Sequence, residues 1–158
     1  MDAMRLIGAS RHALAQAGSE QEIVVEAWQA HALAEAIGGH LALHGPPEAR
    51  TEARGLCEAG GRARGALHHR AVQIRTMTRA GCSRAAKLTE VRELGRLLPA
   101  LAELLGDAGI ALVGVASATE DEALYWSCVE SIDAGDESRD RVRGILRHLE
   151  VRERGGAA

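Results

Sequence analysis

Apolar residues recur at intervals of three and four along most of the chain, the period of helices with one side in a core. Over residues 2–17, Leu6, Ile7, Ser10, Ala13, Leu14 and Ala17 share one face. A first helix is expected there, opened by Asp2 and stopped by Gly18. Ser19 with Glu22 forms a capping box, which predicts a second helix running toward His44 with a weak point at Gly38-Gly39. Gly45-Pro46-Pro47 ends that helix and supplies the first turn of the next. Residues 48–88 read as helix with interruptions, because Gly55, Gly60, Gly61, Gly65 and Gly81 fall at intervals. Helix is predicted again from about Ser83 to Gly106, bent or restarted at Pro99, and Asp107 can cap another. The apolar run 110–118 could be a buried strand, but no second strand exists to pair with it. Gly114 and Ala118 instead give it the spacing of a tight helix crossing. Thr119 with Glu122 opens a helix that Gly135 is expected to end. Asp136 then caps a last helix whose apolar stripe is Val142, Ile145, Leu146 and Leu149. The pattern predicts an all-α fold, a single compact bundle of about seven helices over residues 1–158, packed tightly through small residues.

Composition adds what the pattern omits. The chain has no Phe, no Asn, and one Lys against eighteen Arg. That is the bias of a GC-rich bacterial genome, so the arginine excess by itself is poor evidence for nucleic-acid binding. With 2% aromatic residues there is little from which to build a base-stacking platform. Cys57, Cys82 and Cys128 are odd in number, far apart and without a CxxC. This argues against a disulfide framework or zinc knuckle and for small buried apolar residues. The N-terminal stretch, with Asp2, Arg11 and His12, does not read as a signal peptide. The longest apolar run, 109–118, is half a membrane span. A cytoplasmic location is expected.

The charges are sorted. Residues 59–89 hold six Arg and Lys87 with no acid, whereas residues 97–138 hold nine acids with no Arg or Lys. Soluble helices normally mix both signs, so single-sign blocks of this length point to a docking surface. If residues 67–80 are helical, His68, Arg75 and Arg79 lie in an outer row. Over 120–134 the corresponding outer row is Glu122, Trp126, Glu130 and Asp133. Trp and Arg are the residues enriched at interface hot spots, and an arginine over Trp126 would add cation–π attraction.

Four segments carry a resemblance: Glu26-Ala27-Trp28, Glu52-Ala53-Arg54-Gly55-Leu56-Cys57-Glu58, residues 109–117, and Leu124-Tyr125-Trp126 through Arg143. Together they resemble an uncharacterised helical family of actinobacteria, over most of the chain. The resemblance implies a cytoplasmic actinobacterial protein and brings no catalytic or binding residue with it.

His31 and Glu35 fall near Val24 and Trp28 on the apolar side of the second helix, a candidate buried polar pair. A carboxylate there must be paired, protonated or less buried than its position suggests. The pair could hold a small molecule or metal, or fix helix packing through a His–Glu hydrogen bond. A hemerythrin-like site fails on geometry, since His31 and His40 are nine residues apart on one helix and face opposite ways. Residues 78–86 resemble a helix-turn-helix turn, but the inward positions after it would be Lys87 and Glu90. No phosphate loop, nucleophile elbow or zinc-protease motif can be assembled.

The expected function is therefore a non-enzymatic cytoplasmic interaction or regulatory module, homodimeric or bound to another protein, without cofactor, metal or membrane. Trp126, Arg75 and Arg79 are its principal contacts. The alternatives are a ligand-binding or enzymatic bundle centred on His31 and Glu35, and nucleic-acid binding through the basic segment.

Overall fold

The second helix is buried on nearly every side, and the rest of the molecule is arranged around it. The computed structural model describes residues 1–67 and 83–156. Within them are five α-helices: α1 (Ala3–Gln16), α2 (Glu20–His44), α3 (Arg50–Ala66), α4 (Leu94–Ala118) and α5 (Glu122–Gly156). Short 3₁₀ turns cover Pro47–Ala49 and Arg84–Lys87. α2 packs against α1, α3 and α4, while α3 and α4 both pack against α5. No strand occurs among the described residues. A single bridge, with Ala3 N donating to Glu90 O and Thr89 N to Met1 O, ties the start of the chain to the segment before α4.

The caps read from the sequence are made at the first two helices. Asp2 accepts from the Met4 amide at 2.8 Å, and Ser19 accepts from the Glu22 amide at 3.2 Å. The Glu22 carboxylate reaches back to the Gly18 amide at 2.7 Å, which completes the box one residue earlier than usual.

The expected seven helices are five among the described residues, because several presumed breaks lie inside continuous helices. α2 runs unbroken through Gly38-Gly39. Pro99 lies in the second turn of α4, where it forgoes one hydrogen bond, to the Gly95 carbonyl, and the helix continues past it. Gly106-Asp107 and Gly135-Asp136 likewise fall inside α4 and α5. The helix expected from Ser83 is instead a four-residue 3₁₀ turn followed by irregular chain, and α4 begins only after Glu93, whose φ of 52° is left-handed.

Most of these glycines answer to packing. A Cβ on Gly38 would lie 2.6 Å from the Cys57 amide nitrogen and 2.9 Å from the Ala53 carbonyl oxygen. One on Gly60 would lie 2.7 Å from the Glu35 nitrogen, so α2 and α3 cross backbone to backbone at both points. Between α3 and α5, Gly55 accommodates the Arg141 side chain and Gly144 accommodates Glu52, and these two side chains form an ion pair at 3.2 Å.

The core is leucine and alanine. Leu97, Leu98, Leu101, Leu104 and Leu112 of α4, Leu33 of α2 and Leu56 of α3 are fully buried, each contributing roughly 1.5–3 kcal/mol. α4 is long and apolar enough to cross a membrane by length and composition, with mean hydropathy 1.6 over its most apolar window. Ten residues of apolar run thus belong to a helix of 25.

Candidate functional site

Two places bring together the residues singled out in the sequence. The first lies where α2, α3 and α5 meet. His31 is 1% exposed, and neither ring nitrogen has a hydrogen-bond partner. Gly135 of α5 opens the space for the ring: a Cβ there would stand 3.0 Å from His31 Cε1. Burial without a partner penalises the charged imidazole and pulls its pKa down to about 4.

Glu35, one turn on, does not hydrogen-bond to His31. It accepts two bonds from Arg64 of α3, Nε to Oε2 at 2.6 Å and Nη2 to Oε1 at 3.2 Å. The Arg64 guanidinium also lies 5.7 Å from the centroid of the Trp28 ring. Its own pKa is raised, first by the hydrogen bond to Glu35. The answer to how a carboxylate sits on this side of α2 is therefore partial exposure plus a planar fork from the neighbouring helix. An open groove of about 360 Å³ lies beside this cluster, lined by Trp28, Ala32, Glu35, Ala36 and Arg64 and bordered by Ser83, Ala85 and Ala86. The Glu35–Arg64 pair is about one-third exposed on both sides. Arg64→Ala is expected to cost about 1 kcal/mol by urea unfolding, and Arg64→Lys to recover little of it because an ammonium cannot make the fork.

Among the described residues, no group of three or more His, Cys, Asp or Glu is placed to hold a metal. The His40 and His44 rings lie tilted at 57° to each other, with centroids 5.0 Å apart, near the end of α2. Cys128 is buried, which raises its thiol to about 11, and half-buried Cys57 is raised in the same way. Cys82 lies outside the described residues.

The second place is the outward side of α5. Leu124 and Cys128 turn into the core, and Glu122, Trp126, Glu130 and Asp133 are exposed together. Trp126 is 54% exposed and Tyr125 packs against it edge-on, with centroids 5.2 Å apart. On the adjoining helix Ile110 and Val113 are 75% and 51% exposed, Ile110 beside Arg11 and Leu14 of α1. Glycines at 109 and 114 have no atom within 4 Å of a would-be Cβ, so nothing inside the described structure calls for them.

His68, Arg75 and Arg79, the expected basic row, lie outside the described residues. Three arginines of the same block are described, and each is paired within the chain: Arg62 with Glu137, Arg64 with Glu35 and Arg84 with Glu26. Arg84 also donates to Ser10 Oγ, and its amide donates to Gln29. No basic helix begins at Ser83, the place a recognition helix would need.

The model of a family of unknown function, DUF6099, matches residues 1–148. The chain belongs to that family. No curated protein and no solved structure matches the chain. The DUF6099 match takes in both places described above, since Trp126 and the His31 cluster fall within it. Nothing local in the sequence marks the arginine of the polar cluster or the glycine beside His31 for these places. Arg64 is 29 positions from Glu35 and Gly135 more than a hundred from His31, so no local spacing links them.

Proposed function

We propose that this DUF6099 member is a non-enzymatic interaction module of the cytoplasm whose contact surface is the outward side of the α4–α5 hairpin. Self-association is the primary use of that surface. One observation carries the reading: Trp126 and Tyr125 stand exposed and in edge-on contact within a surface to which residues 97–138 contribute acids and no base. Exposed aromatic pairs ringed by one sign of charge are what a hot spot looks like before its partner arrives. A partner that covers it presents basic side chains around an apolar centre, and an arginine laid over Trp126 adds roughly 0.5–2 kcal/mol. Arginine-heavy composition and the four sequence segments support an actinobacterial host.

The test is Trp126→Ala. With more than half its surface already in water, loss of the ring is expected to leave the melting temperature within about 2 °C. Association followed by light scattering is expected to weaken at least tenfold. Unchanged association in a folded variant would remove the hairpin from any interface.

A further inference from the structure

α5 is polarised end to end. Its first half, 122–138, carries five acids and no base, whereas 139–156 carries six arginines against three acids. Both halves contribute to one outward face. At about 100° per residue, Trp126, Glu130, Asp133, Arg147, Val151 and Arg154 fall within about 120° of arc. All six are exposed, Val151 at 67%. A helix of this kind is complementary to itself when a second copy runs the other way.

We infer that a second copy of the chain docks on the outward face of α5 in antiparallel register, forming a two-fold symmetric dimer. This rests on the reading of Trp126 as a contact residue and names what it contacts. A two-fold axis passing between residues 138 and 139 sets Trp126 opposite the partner's Val151, and Glu130 opposite the partner's Arg147. The exposed aromatic side chain and the exposed valine thereby cover one another at both ends of the contact. An acidic half meets a basic half twice. Near the axis acids approach at two places: Asp133 faces the partner's Gly144, over which Glu52 lies with Arg141 beside it, and Glu137 faces the partner's Asp140. Both already have arginine neighbours in their own chain: Glu137 has Arg62 and Arg141, and Asp140 has Arg143 at 2.9 Å.

The size of the contact sets its strength. A 35-residue helix is about 52 Å long, and a strip roughly 10 Å wide along it is about 500 Å² per copy, below the ~800 Å² per partner of a standard interface. The dimer is therefore weak and depends on charge. Raising salt from about 0.1 M to about 1 M shortens the Debye length from roughly 10 Å to 3 Å and is expected to loosen it at least tenfold.

The deciding experiment is a charge exchange on the full chain, followed by sedimentation equilibrium with helicity and melting temperature measured alongside. Glu130→Arg and Arg147→Glu are each expected to weaken the dimer tenfold or more. Combining them is expected to restore the wild-type dissociation constant to within about threefold, because each position faces the other across the axis. A chain that stays monomeric at all attainable concentrations overturns the inference. So does a double variant no tighter than the singles. If Trp126→Ala disrupts the dimer while both single charge reversals leave it intact, the hairpin is an interface but the antiparallel register is wrong. If none of the three has an effect, the hairpin reading falls together with the register.

Discussion

Gly38→Ala is expected to destabilise the protein by about 3 kcal/mol, at the upper end of what overpacking a core costs. The added methyl would stand 2.6 Å from one backbone atom and 2.9 Å from another, both on α3. Neither can rotate away as a side-chain tip could, so the two helices must separate and the apolar contacts along their crossing loosen. Its neighbour behaves in the opposite sense. At Gly39 the nearest atom is the Cys57 sulfur at 3.6 Å, an ordinary contact. Gly39→Ala is expected to leave stability unchanged or raise it by up to about 1 kcal/mol, the helix-propensity difference between the two residues. Gly60→Ala, 2.7 Å from the Glu35 nitrogen, is expected to follow Gly38. Because both sites lie on one crossing, the double variant is expected to cost less than the two singles together. Urea denaturation of the four proteins measures this. Equal effects at 38 and 39 would mean that the helices do not meet where the structure places them.

The second large effect depends on pH. His31 titrates at about 4 in the folded protein and near its ordinary 6.5 when unfolded. The unfolded chain therefore takes up this proton first as the solution is acidified. The contribution is fully present above pH 6.5, falls as pH drops toward 4, and is gone below that, a loss of about 3 kcal/mol. His31→Leu removes both the titration and two unpartnered buried nitrogens. At pH 7 the variant is expected to be at least as stable as the wild type, by about 1 kcal/mol. Its stability relative to the wild type is expected to grow further as the pH is lowered to 4. All other ionisable groups cancel in that difference. Parallel stability–pH curves for the two proteins would show that the ring is not held neutral in the core.

These two sites also show where sequence reasoning succeeds and where it stops. The all-α class, the caps at Asp2 and Ser19, the inward placement of Leu124 and Cys128 and the outward placement of Trp126 follow from periods of three to four and from the chemistry of helix ends. Both are local properties. Helix number is not local in the same way. Gly38, Gly106 and Gly135 carry the composition of stops, yet each lies against a side chain or backbone from a distant segment, and that neighbour decides its role. Gly135, by composition a helix end, is instead the floor beneath His31. The same holds for the polar cluster: Glu35 on the apolar side of α2 announces that a partner is needed, but Arg64 answers from another helix. Exposure of Ile110 and Val113 was equally illegible, since an apolar run of ten residues gives no sign of which side it turns to solvent.

The burial of α2 on nearly every side has a consequence for how the protein unfolds. Its buried residues, from Val24 to Leu41, pack on α1, α3 and α4 and meet α5 at His31, and they leave no apolar stripe with a polar back along which it could detach alone. Opening the whole of α1, α3 or α4 strips cover from the same helix, so losing any of them exposes the centre. The backbone amides of Ala30 to Gly38 are thus tied to the whole transition rather than to local fraying, and the ends of α1 and α5 form the part of the structure that can open by itself.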